Sequence, residues 1–336
     1  MKKTAYLYCD PRSLNEATVF YVEIVEECLK AYNYILKRVT KLSEIKKPDL
    51  IFTITHSYYC VAKLRHPLTK TIMWIQGLGI EEAKMNRPKW KWPLFYITEL
   101  YSVRNADFIL FVSERMREYY ETEFGYKGDN FVIMPCFNLL YNDKVDYTKF
   151  ESPTFVYAGG ISAWQSIDKI LDVYAEIEKE LPKANLTMLC NDNGFIKGEI
   201  SKRGIHNYEI KYVQLEQLQN ELEKYKYGFI IREKNWVNEV ATPTKMNSYL
   251  AAHIIPIYSD GVNDFERNIK LGEFTLMAKT PLNPEEISKA VIAFEKESHN
   301  YESFIPLIKD VFDKHYNIET YKLLISEKIK ELIANK

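Results

Sequence analysis

Lys245 stands where a helix start should repel it. In VATPTKMNSYLAAHIIP, residues 240–256, Thr242 reads as the N-cap and Pro243 as the first helical residue, which puts Thr244 and Lys245 in the first turn. A helix start carries unpaired N–H groups and the positive end of the dipole, and disfavours a cation by roughly 0.3–1 kcal/mol. Two readings follow: a surface lysine that snorkels back to water, or a lysine kept there for a bound phosphate. The surrounding elements have to decide.

Those elements alternate regularly. TAYLY, YILKRV, LIFTI, TIMWI, DFILFV and FVIMP read as strands, with helical patterns such as NEATVFYVEIVEECLKAY and KWPLFYITELYSVRN among them. A polar stretch, NDKVDYTKFESP at 142–153, reads as a linker. Beyond it TFVYAG, NLTMLC, YEIKYV, YGFII, IIPIYS and FTLMA alternate with SIDKILDVYAEIEKEL, LEQLQNELEKY and PEEISKAVIAFEKE. Continuous apolar strands between amphipathic helices predict parallel sheets covered on both faces. A chain of 336 residues exceeds what one core usually holds, so two doubly wound, Rossmann-like α/β domains are expected, at 1–145 and 146–310. A last helix over 311–336 is free to pack back across the linker.

Composition excludes several functions. The 45 basic residues balance 46 acidic ones, which removes a global electrostatic basis for binding nucleic acid. Cys9, Cys28, Cys60, Cys136 and Cys190 stand singly, without the spacing of a zinc or redox site, and fit reduced thiols in a cytoplasm. The opening MKKTAYLYCDPRS has too few apolar residues for a secretory signal, and no later run is long enough to span a bilayer. CDPRSLNEA follows the first strand where a dinucleotide-binding GxGxxG would stand, and no GxxxxGK[ST], GxSxG or HExxH motif occurs. These absences argue against a simple NAD-dependent dehydrogenase, a P-loop NTPase, an α/β-hydrolase and a zinc peptidase.

TFVYAGGISAWQSIDKILDVYAEIEKELPKANLTMLC, with YGFIIREKNWVNEVATPTKMNSYLAAHIIPIYS, resembles the donor domain of retaining family-4 glycosyltransferases of the GT-B fold. IMWIQGLGIEEA, NADFILFVSERMREYY and FVIMPCFN are similar to their N-terminal domain, so the resemblance covers nearly the whole chain. It implies a nucleotide diphosphate sugar held by the C-terminal domain, an acceptor held by the N-terminal one, and neither cofactor nor obligatory metal. On that pattern Arg232, which ends YGFII, and Lys245 grip the pyrophosphate together with the helix start at Thr242 and Thr244. Gly159 and Gly160 admit the ligand close to the backbone.

The chain also departs from the pattern. Family members commonly carry an arginine and a lysine where Gly160 and Gln165 stand here. The second of a glutamate pair, which binds ribose hydroxyls, falls on Ser248, and Glu239 is either the shifted first glutamate or a loop carboxylate. His56, ending LIFTIT, and Gln76-Gly77, ending TIMWI, are expected to face the cleft on the acceptor side, His56 either as a catalytic imidazole or as a structural one. Glu81 and Glu82 fit the start of a helix.

NRPKWKWPLFYITELY, residues 86–101, interleaves Arg87, Lys89 and Lys91 with Trp90, Trp92, Phe95 and Tyr96. This suits either docking on an anionic membrane or a core-facing helix with buried tryptophans. The expectation is a cytoplasmic, metal-independent hexosyltransferase at the inner face of the cell membrane, adding sugar to a glycan or lipid-linked glycan in surface polysaccharide synthesis. Gly160, Gln165 and Ser248 leave a non-catalytic GT-B partner or chaperone subunit, and a nucleotide-sugar epimerase, as alternatives.

Overall fold

The computed structural model describes residues 2–14, 16–191 and 194–334, in two compact units, Met1–Pro135 with Asn317–Lys336 and Cys136–Tyr316. The first unit runs β1 (Lys3–Tyr8), α1 (Glu16–Ala31), β2 (Tyr34–Val39), β3 (Leu50–Thr53), α2 (His56–Arg65), β4 (Lys70–Ile75), α3 (Gly79–Asn86), α4 (Trp92–Asn105), β5 (Phe108–Phe111), α5 (Glu114–Phe124) and β6 (Phe131–Ile133). Its strands form one parallel sheet in the order β2-β1-β3-β4-β5-β6. Every residue of β3 and β5 is buried, which is why both read as unbroken apolar runs.

The second unit continues with β7 (Thr154–Ala158), α6 (Ile167–Glu180), β8 (Asn185–Leu189), α7 (Phe195–Lys202), β9 (Tyr208–Lys211), α8 (Leu215–Leu222) and β10 (Tyr227–Ile230). After these come α9 (Trp236–Glu239), α10 (Thr244–Ala251), β11 (Ile255–Ser259), α11 (Asn263–Asn268), β12 (Leu276–Ala278), α12 (Pro284–Lys296) and α13 (Phe304–Lys314). The sheet order is β12-β11-β10-β7-β8-β9, all neighbours parallel. Direction of winding reverses between β7 and β10, so the loops leaving their carboxyl ends part and open a crevice there.

The final helix, α14 (Ile318–Ala334), belongs to the first unit, where it packs on α1, β5 and β6. Tyr32 on the loop after α1 donates its hydroxyl to the Ser326 carbonyl at 2.9 Å, and Lys322 pairs with Glu27 at 2.8 Å.

The stretch 142–153 is not a linker, and the division falls at Pro135/Cys136 rather than after residue 145. Its polarity misleads because two of its long side chains are buried: the Lys149 amine donates to the Ala252 carbonyl, and the Phe150 ring stacks on Tyr301 at 4.3 Å. Upstream, the N–H groups of Asn138 and Leu139 donate to Asn247 Oδ1 at 3.1 and 2.9 Å, which binds residues from 136 onward to the second unit. That unit likewise extends to Tyr316 instead of ending at residue 310.

Candidate functional site

The carboxyl ends of β7 and β10 bring the second unit's polar side chains together. Arg232 follows β10 and is buried; its backbone N–H donates to Ser259 Oγ at 2.8 Å, and its carbonyl accepts from the same hydroxyl at 2.6 Å. A Cβ on Gly261 would lie 2.2 Å from that carbonyl, so a glycine is needed for β11's exit to pass so close. The guanidinium donates to Asn238 Oδ1 at 3.4 Å and to Gln165 Oε1 at 3.2 Å. Asn238, itself buried, is steadied by its own donation to the Glu233 carbonyl at 2.8 Å.

Lys245 meets Arg232 at the same atom. Its ammonium donates to Gln165 Oε1 at 2.6 Å and to the Tyr157 hydroxyl at 3.1 Å, and lies 4.5 Å from the Tyr157 ring centre. Its stem crosses Gly159, where an added Cβ would come within 2.6 Å of Lys245 Cε and where φ is +134°. The backbone conformation at residue 159 favours glycine, and a side chain there would also displace the Lys245 stem. Gly160 is exposed, and a Cβ there would meet nothing within 4 Å, leaving open space over the loop.

The helix carrying Lys245 is fixed from three sides. Gly228 on β10 has no Cβ, which here would sit 2.5 Å from the Tyr249 ring, so Tyr249 lies flat on the strand. The Tyr249 hydroxyl accepts from the Ala158 N–H at 3.0 Å, linking α10 to the end of β7. Asn247 holds the chain at 138–139, and Thr242 Oγ1 accepts from the Cys136 N–H at 2.9 Å. Thr242 is consequently not the N-cap: with its hydroxyl engaged elsewhere, Pro243 stays extended at ψ 123° and the helix opens at Thr244. Lys245 remains in the first turn, which contains no acidic residue.

Electrostatics sets this place apart. Burial draws the Arg232 guanidinium down to about 10, still cationic at neutral pH. Burial and, next, the Arg232 charge draw the Lys245 ammonium well below its ordinary value. Among the described residues neither cation has a carboxylate partner, and Arg232 Nε is buried without any partner. An anion with oxygens reaching both groups would remove the repulsion. Ser248 is buried and turns its hydroxyl back to the Thr244 carbonyl at 3.1 Å; Glu239 closes α9, half-buried. A cavity of about 260 Å³ lies elsewhere, against the edge strand β12 and α12.

In the first unit His56 opens α2 instead of ending β3, because the strand stops at Thr53. Its Nδ1 lies 2.7 Å from Ser102 Oγ, and its Nε2 lies 3.1 Å from the Tyr120 hydroxyl and 3.2 Å from Glu99 Oε1. Both ring nitrogens are thus engaged inside the protein. Fully buried Glu99 also accepts from the N–H groups of Gly79 and Ile80, at 2.7 and 2.9 Å, and from Tyr120 at 2.9 Å, so a side chain of α4 neutralises the start of α3. Gln76, after β4, keeps a buried Nε2 without a partner, and a Cβ on Gly77 would lie 2.2 Å from Glu82 Oε1. Glu81 and Glu82 lie in the first turn of α3.

The basic-aromatic stretch forms a short 3-10 turn and then α4. Its inward face is Glu99, Ser102 and Val103, while Leu94, Ile97 and Tyr101 are exposed and Trp90 is 76% exposed. Lys91 lies over the Trp90 ring at 4.9 Å and Lys89 near Trp92 at 6.0 Å, while the Trp92 Nε1–H donates to the Arg87 carbonyl at 3.2 Å. Phe95 is half-buried and Tyr96 stacks on Phe124 at 5.1 Å. Contacts from His56 to Ser102 and from Cys60 to the Thr98 carbonyl run α2 antiparallel to α4, which places exposed Val61 and Leu64 alongside Ile97 and Leu94. Among the described residues no helix is long and apolar enough to cross a membrane.

Sequence reasoning selected Arg232, Lys245, Gln165 and Gly159, which the structure brings together. It missed Tyr157, Asn238, Tyr249 and Glu99. Of these only Glu99 left a sequence signal, as the single acid on the α4 face that repeats at Ser102 and Val103.

No protein-family model matches the chain, and no curated protein sequence matches it. Solved structures match over its whole length. Sucrose-phosphate synthase from Thermosynechococcus elongatus aligns over 100% of both chains with a TM-score of 0.74 at 13% identity. A glycosyltransferase from Rickettsia africae ESF-5 aligns over 100% of both chains with a TM-score of 0.71 at 12% identity. The Anabaena protein HepE, in complex with UDP and glucose, aligns over 99% of this chain and 100% of its own, with a TM-score of 0.71 at 8% identity. Two six-stranded parallel sheets with flanking helices have the GT-B fold of these glycosyltransferases.

Two predictions concern the sites themselves. The unfolded chain binds more protons at Lys245 than the folded one, so stability of the ligand-free protein rises with pH from the depressed folded value up to the ordinary lysine range near 10.4. Lys245→Met removes that penalty and is expected to raise the melting temperature at neutral pH by about 2 °C; a lower midpoint by scanning calorimetry would count against a strained ammonium. Glu99→Ala strips the Gly79 and Ile80 N–H groups and the Tyr120 hydroxyl of their acceptor and is expected to cost about 3 kcal/mol or more in urea unfolding. A loss below about 1 kcal/mol would mean that water replaces the carboxylate.

Proposed function

We propose that this protein is a retaining glycosyltransferase, moving a sugar from a nucleotide diphosphate sugar to a hydroxyl of a glycan or lipid-linked glycan in surface polysaccharide synthesis. One observation carries the reading: Arg232 and Lys245, with no carboxylate partner among the described residues, meet at one oxygen beside the start of α10 at the β7/β10 switch point. Solved structures of the same fold support it, one in complex with UDP and glucose and another bound with UDP-2-fluoro glucose.

When the anomeric C–O bond breaks, its electron pair stays on the diphosphate and the sugar becomes oxocarbenium-like. Buried Arg232, half-buried Lys245 and the α10 N–H groups face that growing charge in a setting where their attraction exceeds what water would allow. The acceptor oxygen adds on the face the leaving group vacates, and its proton passes to the departing phosphate oxygen. No separate base is then required. Ser248 keeps lone pairs for a ribose hydroxyl, and Glu239 stands on the preceding helix to contact the donor. The acceptor is assigned to the first unit, at Gln76 and Gly77, with His56 shaping that surface through Ser102, Tyr120 and Glu99. The two cations supply the charge a divalent metal would otherwise bring, so the reaction needs none.

The exposed face of Trp90, Leu94, Ile97 and Leu64, with Arg87, Lys89 and Lys91 beside it, fits the headgroup region of an anionic membrane, where a lipid-linked acceptor resides.

A thermal-shift panel of UDP, GDP, ADP and CMP, with and without sugars, is expected to stabilise the protein with at least one diphosphate, equally in EDTA. Silence across the panel would favour a non-catalytic partner, and conversion of a nucleotide sugar without acceptor would favour an epimerase. Lys245→Ala is expected to weaken diphosphate binding about tenfold or more and to spare the nucleoside; equal losses would remove the phosphate role. In cosedimentation at low salt, wild type is expected in the pellet with anionic vesicles and Trp90→Glu/Ile97→Glu in the supernatant. Wild type that stays in the supernatant would sink the docking proposal.

A further inference from the structure

Gln165 is more than a missing cation. Its Oε1 receives the Lys245 ammonium at 2.6 Å and the Arg232 guanidinium at 3.2 Å, a geometry in which one oxygen is shared by two positive groups. That is the arrangement a phosphate oxygen would adopt. A carboxamide oxygen has partial charge only, so it steadies the two cations without neutralising them. We propose that Gln165 is an internal competitor for the phosphate site: its carboxamide oxygen occupies the position of a phosphate oxygen and swings out when a diphosphate enters. The proposal rests on the sugar-transfer reading for the identity of the ligand, but its geometry is independent of the sugar.

The surroundings allow the exchange. Gln165 ends a single 3-10 turn, Ala163–Gln165, whose first residue is exposed, and Ser166 follows at φ +51°, keeping Gln165 in the loop and out of α6. Nothing lies within 4 Å of a Cβ built on Gly160, so open space adjoins the loop. The groups that remain are fixed: Tyr157 donates to the Gly160 carbonyl and accepts from Lys245, and Asn238 keeps its hold on Arg232. Arg232 Nε, buried and without a partner, provides a further donor once a larger acceptor arrives. In this scheme Gln165 sets a ceiling on affinity and keeps small anions from settling between the two cations.

The alternative, in which Gln165 is a direct donor contact through its amide N–H groups, predicts the opposite sign. The test is calorimetric titration of the full chain with inorganic pyrophosphate and with the diphosphate that stabilises best. Gln165→Ala is expected to bind both about tenfold more tightly than wild type, because the ligand no longer has to break a charge-assisted hydrogen bond. Gln165→Glu, of the same shape but ionised, is expected to bind both at least about tenfold more weakly and to melt at a higher temperature, since a carboxylate bridges the cations more strongly. That second variant reports on the site even where the first unfolds. Binding by wild type with Gln165→Ala equal or weaker overturns the competitor role and leaves the sugar-transfer reading standing. If all three proteins bind neither ligand, both fall together.

Discussion

The second unit is organised around two like charges held close in a place with little water. Burial penalises both charges and draws both below their ordinary values, and at Lys245 the nearby Arg232 charge adds to the penalty. The chain is able to neutralise buried cations elsewhere in this unit: Lys226, equally buried, pairs with Glu295 at 2.7 Å. At the switch point it uses the side chains of Asn238, Gln165 and Tyr157 instead, all neutral. Neutral partners orient a cation and leave its charge to act on something else. A carboxylate would have stabilised the fold and silenced the site.

Such repulsion persists only if the cations cannot relax away from each other, and the packing of α10 prevents that. Tyr249 is pinned between β7 and β10 through a glycine and a shared hydroxyl, and Asn247 ties the other flank to residues 138–139. Arg232 is held at its backbone by Ser259 and at its head by Asn238. The rigidity is that of strand and helix, not of loop, and it fixes the donors ahead of any ligand. Gln165, on the loop after β7, is the exception among the side chains that hydrogen-bond these cations.

Much of this was legible in the residues. Strand positions followed from apolar runs because both sheets are covered on two faces, and β2 and β12 alike coincide with runs such as YILKRV and FTLMA. The Arg232–Lys245 grouping came from the family resemblance together with their places after a strand and at a helix start. What sequence could not give was the use made of polar side chains at long separation. Thr242 has the type of an N-cap, but Cys136, more than a hundred residues earlier in the chain, takes its hydroxyl and delays the helix. The segment 142–153 has the composition of a linker, yet Lys149 and Phe150 find partners at Ala252 and Tyr301. His56 has a reactive side chain, but its surroundings, Ser102, Tyr120 and Glu99, come from two other helices and occupy both nitrogens.

The two units each place a helix start at the carboxyl end of a parallel sheet, and they treat it oppositely. At α3 the protein supplies its own anion: Glu99 receives the Gly79 and Ile80 N–H groups and satisfies the local field from within. At α10 it supplies cations and no acid in the first turn, so the dipole, Lys245 and Arg232 all add with the same sign. A helix start of the first kind is a finished piece of structure, and a substrate gains little charge stabilisation by approaching it. One of the second kind is stable only at some cost to the fold, and the cost is recovered when negative charge arrives. The two units therefore differ electrostatically in where the chain completes a helix dipole with its own carboxylate and where it adds cations to it.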